Sequence, residues 1–157
     1  MPSALRFEPV AVVVGGRTEP VDDDWEAVEA IVRFDERFEP EVLEGLDEFS
    51  HVELVYVFDR VDPADVDTGA RHPRGNPDWP RVGIFAQRAK DRPNRLGVSI
   101  CRLLRVAGLD VHVAGLDAVD GTPVLDLKPV MAEFGPRGEV RQPAWARELM
   151  AGYWVSS

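Results

Sequence analysis

The feature that most constrains this chain is the two-residue period of its apolar side chains. The run HVELVYVFD (His51–Asp59) is dense in Val, Tyr and Phe, and Leu96, Val98, Ile100, Leu104 and Val106 alternate along a longer run that Arg102 interrupts. Such alternation puts successive side chains on opposite faces of an extended backbone, which a helical period of about 3.6 cannot reproduce. Shorter Val-rich segments repeat the pattern at Glu8–Val14, Ala27–Phe34, Val82–Gln87, Val111–Leu116 and Thr122–Leu127. Ala107–Asp110 is short enough to join two of these runs as a hairpin. Helix is expected only at Pro40–Gly45 and Pro143–Met150, each opening on a proline suited to a first turn. Asp62–Pro80 holds four prolines and two glycines and reads as a long loop, a length usually tied to function or mobility. Many short strands with short connections predict a mainly β protein, either a sandwich or a barrel.

A chain of 157 residues can bury one core unaided, so a single domain over residues 1–157 is expected. One cysteine, Cys101, leaves no internal disulfide to form and fits a reducing compartment. No run approaches the roughly 18 apolar residues of a membrane span, and the start lacks a signal-peptide pattern. The expected location is the cytoplasm, with no membrane partner. The helix-opening glycine turn of dinucleotide and common methyltransferase folds is missing, since Gly15-Gly16-Arg17-Thr18-Glu19-Pro20 lacks its spacing. His51, His72 and His112 lie far apart, with no Cys or His pair at zinc spacing, so no metal is expected.

The net charge of −10 hides an asymmetry: residues 1–70 carry 19 acidic and 5 basic side chains, whereas residues 71–105 carry 9 basic against 2 acidic. Screening at physiological salt acts over about 8–10 Å, so a local basic stripe can meet phosphates on an acidic protein. Within that stripe Arg74 and Arg95 fall in loop-like sequence. Arg88 and Arg92 flank a turn stiffened by Pro93, an arrangement able to grip a carboxylate or phosphate bidentately, and Asn94 can bond its own backbone or present an amide outward there. Asp59-Arg60 stands where a strand meets the long loop, a usual place for binding groups. Asp117, Asp120 and Asp126 punctuate an apolar stretch that ends at Lys128. Asp120-Gly121 is also a turn signal, and a half-buried carboxylate at Asp117 or Asp126 needs a hydroxyl or amine partner.

Three segments in this order, GLDEFSHVELVYVF, then HPRGNP with VGIFAQRAKDRPNRLGVS, then LDAVDGTPVLDLKP, resemble the TsaA/TrmO family from Gly45 to Pro129. The resemblance implies a single-sheeted β-barrel, a homodimer, S-adenosylmethionine as cofactor, and methylation of N6-threonylcarbamoyladenosine beside the anticodon of tRNA. By position it assigns cofactor contacts to Asp59, Arg60, Arg88, Val98 and the segment Ala114, Gly115, Leu116 and Asp117. For chemistry on a ureido nitrogen, Asp120 or Asp126 is the candidate base, with Lys128 or Asn94 holding the acceptor. Arg74, Arg92 and Arg95 are the candidate RNA contacts. Two departures stand out: Asp59-Arg60 replaces the His-Gln pair of tRNA-modifying members, and Arg95-Leu96 replaces Pro-Ile. These leave open a methyltransferase acting on another RNA or a small molecule, and a non-catalytic cofactor- or RNA-binding module.

Overall fold

The computed structural model describes residues 3–155, so the outermost positions of the expected 1–157 domain (1, 2, 156 and 157) lie outside the described residues. Six antiparallel strands close into a barrel in the order β1 (Ala11–Val14), β2 (Glu29–Phe34), β7 (Asp110–Ala114), β6 (Leu96–Ala107), β3 (His51–Val57) and β8 (Pro123–Pro129). Closure leaves no unpaired sheet edge. The expectation of a mainly β barrel is met. A two-stranded ribbon of β4 (Ala70–Arg71) and β5 (Val82–Gly83) stands beside it, and a 3-10 turn (Ala132–Phe134) and an α-helix, α1 (Ala144–Met150), follow the last strand.

Inward-facing side chains fill the barrel. From β3 come Val52, Leu54 and Tyr56; opposite them pack Val13, Val32, Val111, Val113 and Val124, all nearly inaccessible. The long strand β6 inverts the usual pattern. Its inward positions carry the small residues Gly97, Ser99 and Cys101, while Leu96, Val98, Ile100 and Leu104 face outward with 39–53% exposure. The reason lies across the ladder, where Tyr56 pairs with Gly97. A Cβ on Gly97 would stand 2.5 Å from the Tyr56 ring and 2.8 Å from Phe58, so the ring occupies space that only glycine leaves.

β1 begins at Ala11 and β2 at Glu29, later than the expected Glu8 and Ala27, and the helix expected at Pro40–Gly45 is a 3-10 segment over Pro40–Leu43. Three further boundaries differ from the sequence expectation. The strand expected at Val82–Gln87 stops at Gly83, and Ile84–Ala86 turns as a short 3-10 segment, because Ile84 is drawn into the core and bends the chain. The strand expected at Val111–Leu116 ends at Ala114, where Gly115 takes φ +81. The expected loop 62–80 contains β4 and two 3-10 turns, and Arg71 is clamped to Asp91 by two guanidinium–carboxylate contacts. Among the described residues no helix is long and apolar enough to cross a membrane, and no cluster of three or more His, Cys, Asp or Glu residues is placed to hold a metal.

Candidate functional site

Just past β7 the chain delivers a carboxylate to the mouth of the barrel. Asp117 follows the buried Ala114-Gly115-Leu116 segment, whose turn depends on the left-handed Gly115. Its Oδ1 accepts from the hydroxyl of Ser99, and Tyr56 Oη lies 3.0 Å from the same oxygen and 2.8 Å from Ser99 Oγ. Its Oδ2 accepts from Tyr153 Oη. Three hydroxyls therefore gather around one carboxylate. Burial, then the charge of Asp117, pushes the Tyr56 and Tyr153 phenols far above their ordinary range, so both remain protonated donors. Burial, with the same charge second, lifts the Cys101 thiol to about 12, which makes it an inert core residue.

Tyr153 reaches this knot because the C-terminal segment is bound along its backbone. The N–H groups of Asp24, Trp25 and Glu26 donate to the carbonyls of Gly152, Tyr153 and Trp154 at 3.1, 3.0 and 2.8 Å. Trp79 Nε1 donates to Glu148 Oε2 at 2.7 Å, tying α1 to the long loop as well.

Arginines surround the knot. Arg88 donates to the Val98 carbonyl at 2.9 Å, and its charge lowers the Tyr56 phenol's affinity for its proton, partly opposing burial. Two of the positions assigned to the cofactor, Arg88 and Val98, are thus brought into contact with each other. Arg74 acts in the same sense on Tyr153 and pairs with Asp23 at 3.2 Å. Arg60 donates to the Thr18 carbonyl at 2.5 Å and the Asp120 carbonyl at 3.3 Å, which binds the start of the long loop to the turns after β1 and β7. Its neighbour Asp59 donates its backbone N–H to Val57 at 2.9 Å.

The remaining candidates fall elsewhere. Asp120 Oδ1 accepts the Gly15 N–H at 2.8 Å, the turn-forming role its sequence signal suggests. Asp126 and Lys128 touch each other on the outer face of β8, in register with Val55 and Glu53, whereas the knot closes the barrel interior. Arg92 donates to the Gln87 carbonyl at 2.6 Å and braces its own loop, and Arg95 donates to the Val61 carbonyl at 2.7 Å and ties that loop to the start of the long one after β3. Asn94 and Arg95 hold consecutive left-handed conformations (φ 64 and 50) that set the entry into β6.

Sequence reasoning missed Tyr56, Ser99 and Tyr153. The signal for the first two was present: a polar side chain at an inward position of a barrel strand needs a partner inside. Tyr153 carried none, since nothing local says where the tail docks.

A small antiparallel barrel whose mouth holds a hydroxyl-caged carboxylate among arginines defines a compact binding fold. The chain belongs to the tRNA-methyltransferase O N-terminal domain family, which it matches over residues 20–135. It is 33% identical over 146 residues to a probable S-adenosyl-L-methionine-binding protein of Pyrococcus abyssi, covering 90% of this chain and 76% of that one. It is 39% identical over 92 residues to the tRNA (adenine(37)-N6)-methyltransferase of Mus musculus, covering 59% of this chain and 21% of that one, so it spans about a fifth of the mammalian relative. The crystal structure of TrmO from Pseudomonas aeruginosa superposes with a TM-score of 0.71 at 26% identity, covering 88% of this chain and 62% of that one.

Proposed function

We propose that this chain is an S-adenosylmethionine-dependent methyltransferase of the cytoplasm that acts on N6-threonylcarbamoyladenosine next to the anticodon of tRNA. The observation that carries the reading is the Asp117 knot at the end of the Ala114–Leu116 turn, with Arg88 bonded to the carbonyl of Val98, the residue before Ser99 of the knot. The donor set suits such a cofactor: a carboxylate for a hydroxyl or an ammonium, a guanidinium for a carboxylate, and main-chain groups for a base. When bound, S-adenosylmethionine supplies an electrophilic sulfonium methyl group. Asp117, Arg88 and the Val98 and Ala114–Leu116 backbones would hold it, with Asp59 and Arg60 at the margin.

The protein's remaining tasks are to align the acceptor and to take its proton. A ureido N–H is a weak nucleophile until deprotonated, and Asp126 or Asp120 is the candidate base. Asp126 Oδ1 accepts the Leu127 N–H at 3.0 Å and its Oδ2 meets Lys128 on the outer face of β8, so an acceptor there has to displace that pair to hand over its proton. Asp120 keeps one oxygen engaged by Gly15, so it serves first as a turn and second as a base candidate. Lys128 and Asn94 hold the acceptor. Domain unity over 1–157 and a homodimer belong to the same reading. The dimer is supported by the outward apolar stripe of β6, which a twofold partner would cover. A second reading, methylation of another RNA or a small molecule by the same barrel, is favoured by Arg60, whose guanidinium is tied to Thr18 and Asp120 carbonyls.

Titration calorimetry with S-adenosylmethionine tests the first step. Arg88→Ala, which removes one exposed side chain that among the described residues bonds only to Val98, should weaken binding about tenfold or more while leaving the melting temperature in place. Light scattering on the same samples should give about twice the 17.5 kDa chain mass. Labelled methyl transfer to tRNA carrying threonylcarbamoyladenosine separates the two acceptor readings. No heat of binding at millimolar cofactor would end both.

A further inference from the structure

Beside the knot lies an open concavity of about 620 Å³ lined by Ala70, Arg71, His72, Arg74, Gly75 and Arg81. Three guanidiniums and an imidazole on one wall are unusual for a protein of net charge −10. Their states differ. Arg71 is neutralised by Asp91, and Arg74 shares its charge with the half-exposed Asp23 at 3.2 Å. Arg81 is exposed and, among the described residues, has no hydrogen-bond or ion-pair partner. His72 Nδ1 lies 2.6 Å from the Trp79 carbonyl, which can only accept, so the proton is on Nδ1 and Nε2 is left without a protein partner among the described residues. Arg74 holds φ 52 and Gly75 φ 67, a left-handed pair that presents the Arg74 side chain at the basin. The basin adjoins the knot through the chain: Arg74 pairs with Asp23, the next residues Asp24 and Trp25 donate their N–H groups to the Gly152 and Tyr153 carbonyls, and Tyr153 donates to Asp117.

We infer that this basin, centred on Arg74 and Arg81, binds a backbone phosphate of the RNA acceptor and so anchors the strand whose base reaches the Asp117 site. The inference rests on the proposed function for its ligand, but it assigns the contact to residues that the cofactor reading does not use. Two free or half-free guanidiniums supply fork-shaped donors matched to phosphate oxygens, and the concave wall sets where the phosphate sits. The arrangement also separates two kinds of arginine in the basic segment. Arg92 and Arg95 spend their donors on main-chain carbonyls, whereas Arg74 spends one nitrogen on Asp22 and Asp23 and keeps its other donors for the basin, and Arg81 has no side-chain partner among the described residues. An isolated inorganic phosphate shares the chemistry, and the experiment distinguishes it from RNA.

Arg81→Gln and the double variant Arg74→Gln/Arg81→Gln should be measured with unmodified bulk tRNA across a salt series, with inorganic phosphate as the small-anion probe and calorimetric S-adenosylmethionine binding as the control. The single variant should lose about tenfold in tRNA affinity and the double variant more, with the salt slope falling by about 1 for each phosphate contact removed. Cofactor affinity and melting temperature should stay within twofold and a few degrees of wild type. If wild type binds tRNA and the double variant binds it equally well with an unchanged slope, the basin is not the RNA contact and the proposed function survives without it. Loss of inorganic phosphate binding with tRNA binding intact would overturn the inference in favour of a small-anion site. If wild type binds cofactor but no tRNA at any salt, the substrate reading and this inference fall together.

Discussion

Two carboxylates, Asp117 at the barrel mouth and Asp91 in the loop before β6, are both held by groups of their own chain, and they are held by opposite physics. Asp117 is gripped by neutral donors, the hydroxyls of Tyr56, Ser99 and Tyr153, each rigidly placed by strand register or by the docked tail. Asp91 is gripped by the charged guanidinium of Arg71, whose side chain remains one-third exposed, at 33%. Hydroxyl donors bring no charge, so a positive group of a ligand still finds Asp117 as an anion. The Arg71–Asp91 pair cancels its own charge and leaves Arg71 Nε buried without an acceptor, with Asp67 Oδ2 3.8 Å away. The first arrangement prepares a site; the second fastens a loop.

The comparison breaks most easily at Gly97. Placing a methyl group there drives a Cβ into the Tyr56 ring at 2.5 Å, and Tyr56, at 2% exposure, has nowhere to go. Gly97→Ala should cost about 3 kcal/mol in denaturant unfolding, at the upper end of ordinary overpacking, and should displace the knot with it. A loss below about 1 kcal/mol would mean that the ring packs less tightly against β6 than the register implies. A milder test is Tyr153→Phe, which removes one hydrogen bond to a carboxylate and keeps the ring against Trp154, at a 4.8 Å centroid distance. The expected cost is about 1.5 kcal/mol, with hydrogen exchange rising at Trp25 and Glu26, whose N–H groups bind the tail. Unchanged exchange there would show that the tail docks independently of Asp117.

How much of this was legible in the sequence follows from how local each cause is. The strand at His51–Val57 and the β6–β7 hairpin rest on alternation and a two-residue turn, and both were readable. The direction of β6 was not. Leu96, Val98, Ile100 and Leu104 alternate as a core-facing set would, yet they point outward because Tyr56 across the ladder demands the small Gly97 inside. Alternation gives the two faces of a strand but not which of them is covered, and an unseen partner would make the outer face look like a core. At the site, Asp117 and Arg88 stood out as polar residues in apolar or turn-rich surroundings. Arg92 and Arg95 stood out equally, and only coordinates show their donors spent on Gln87 and Val61 carbonyls. Tyr153 is 36 residues from Asp117, a distance at which sequence gives no sign of contact.

The smallest expected effect belongs to the ion pair, and pH isolates it. Hydrogen bonding from Arg71, with its charge a lesser contribution, holds the Asp91 carboxyl below its ordinary value of 3.8, against a desolvation cost that pushes the other way. A depressed folded value means that the stabilisation is fully present above the unfolded value and is lost as pH falls through the folded one, so the window lies below about pH 4. Partial exposure of both side chains keeps the contribution under about 1 kcal/mol. Asp110, lowered by Arg33 in the same manner, titrates over the same range, so the raw acid limb of wild type mixes the two pairs. The difference between wild type and Asp91→Asn removes that overlap. At pH 7 wild type should be more stable by a few tenths of a kcal/mol, the gap should close as pH falls from 4 toward 2.5, and 0.5 M salt should shrink it at pH 7. No gap at pH 7 would mean that Asp91 fastens the loop through its backbone, where its carbonyl accepts the Asp67 N–H at 2.8 Å in wild type and variant alike, and the contrast with Asp117 would then lie in geometry alone.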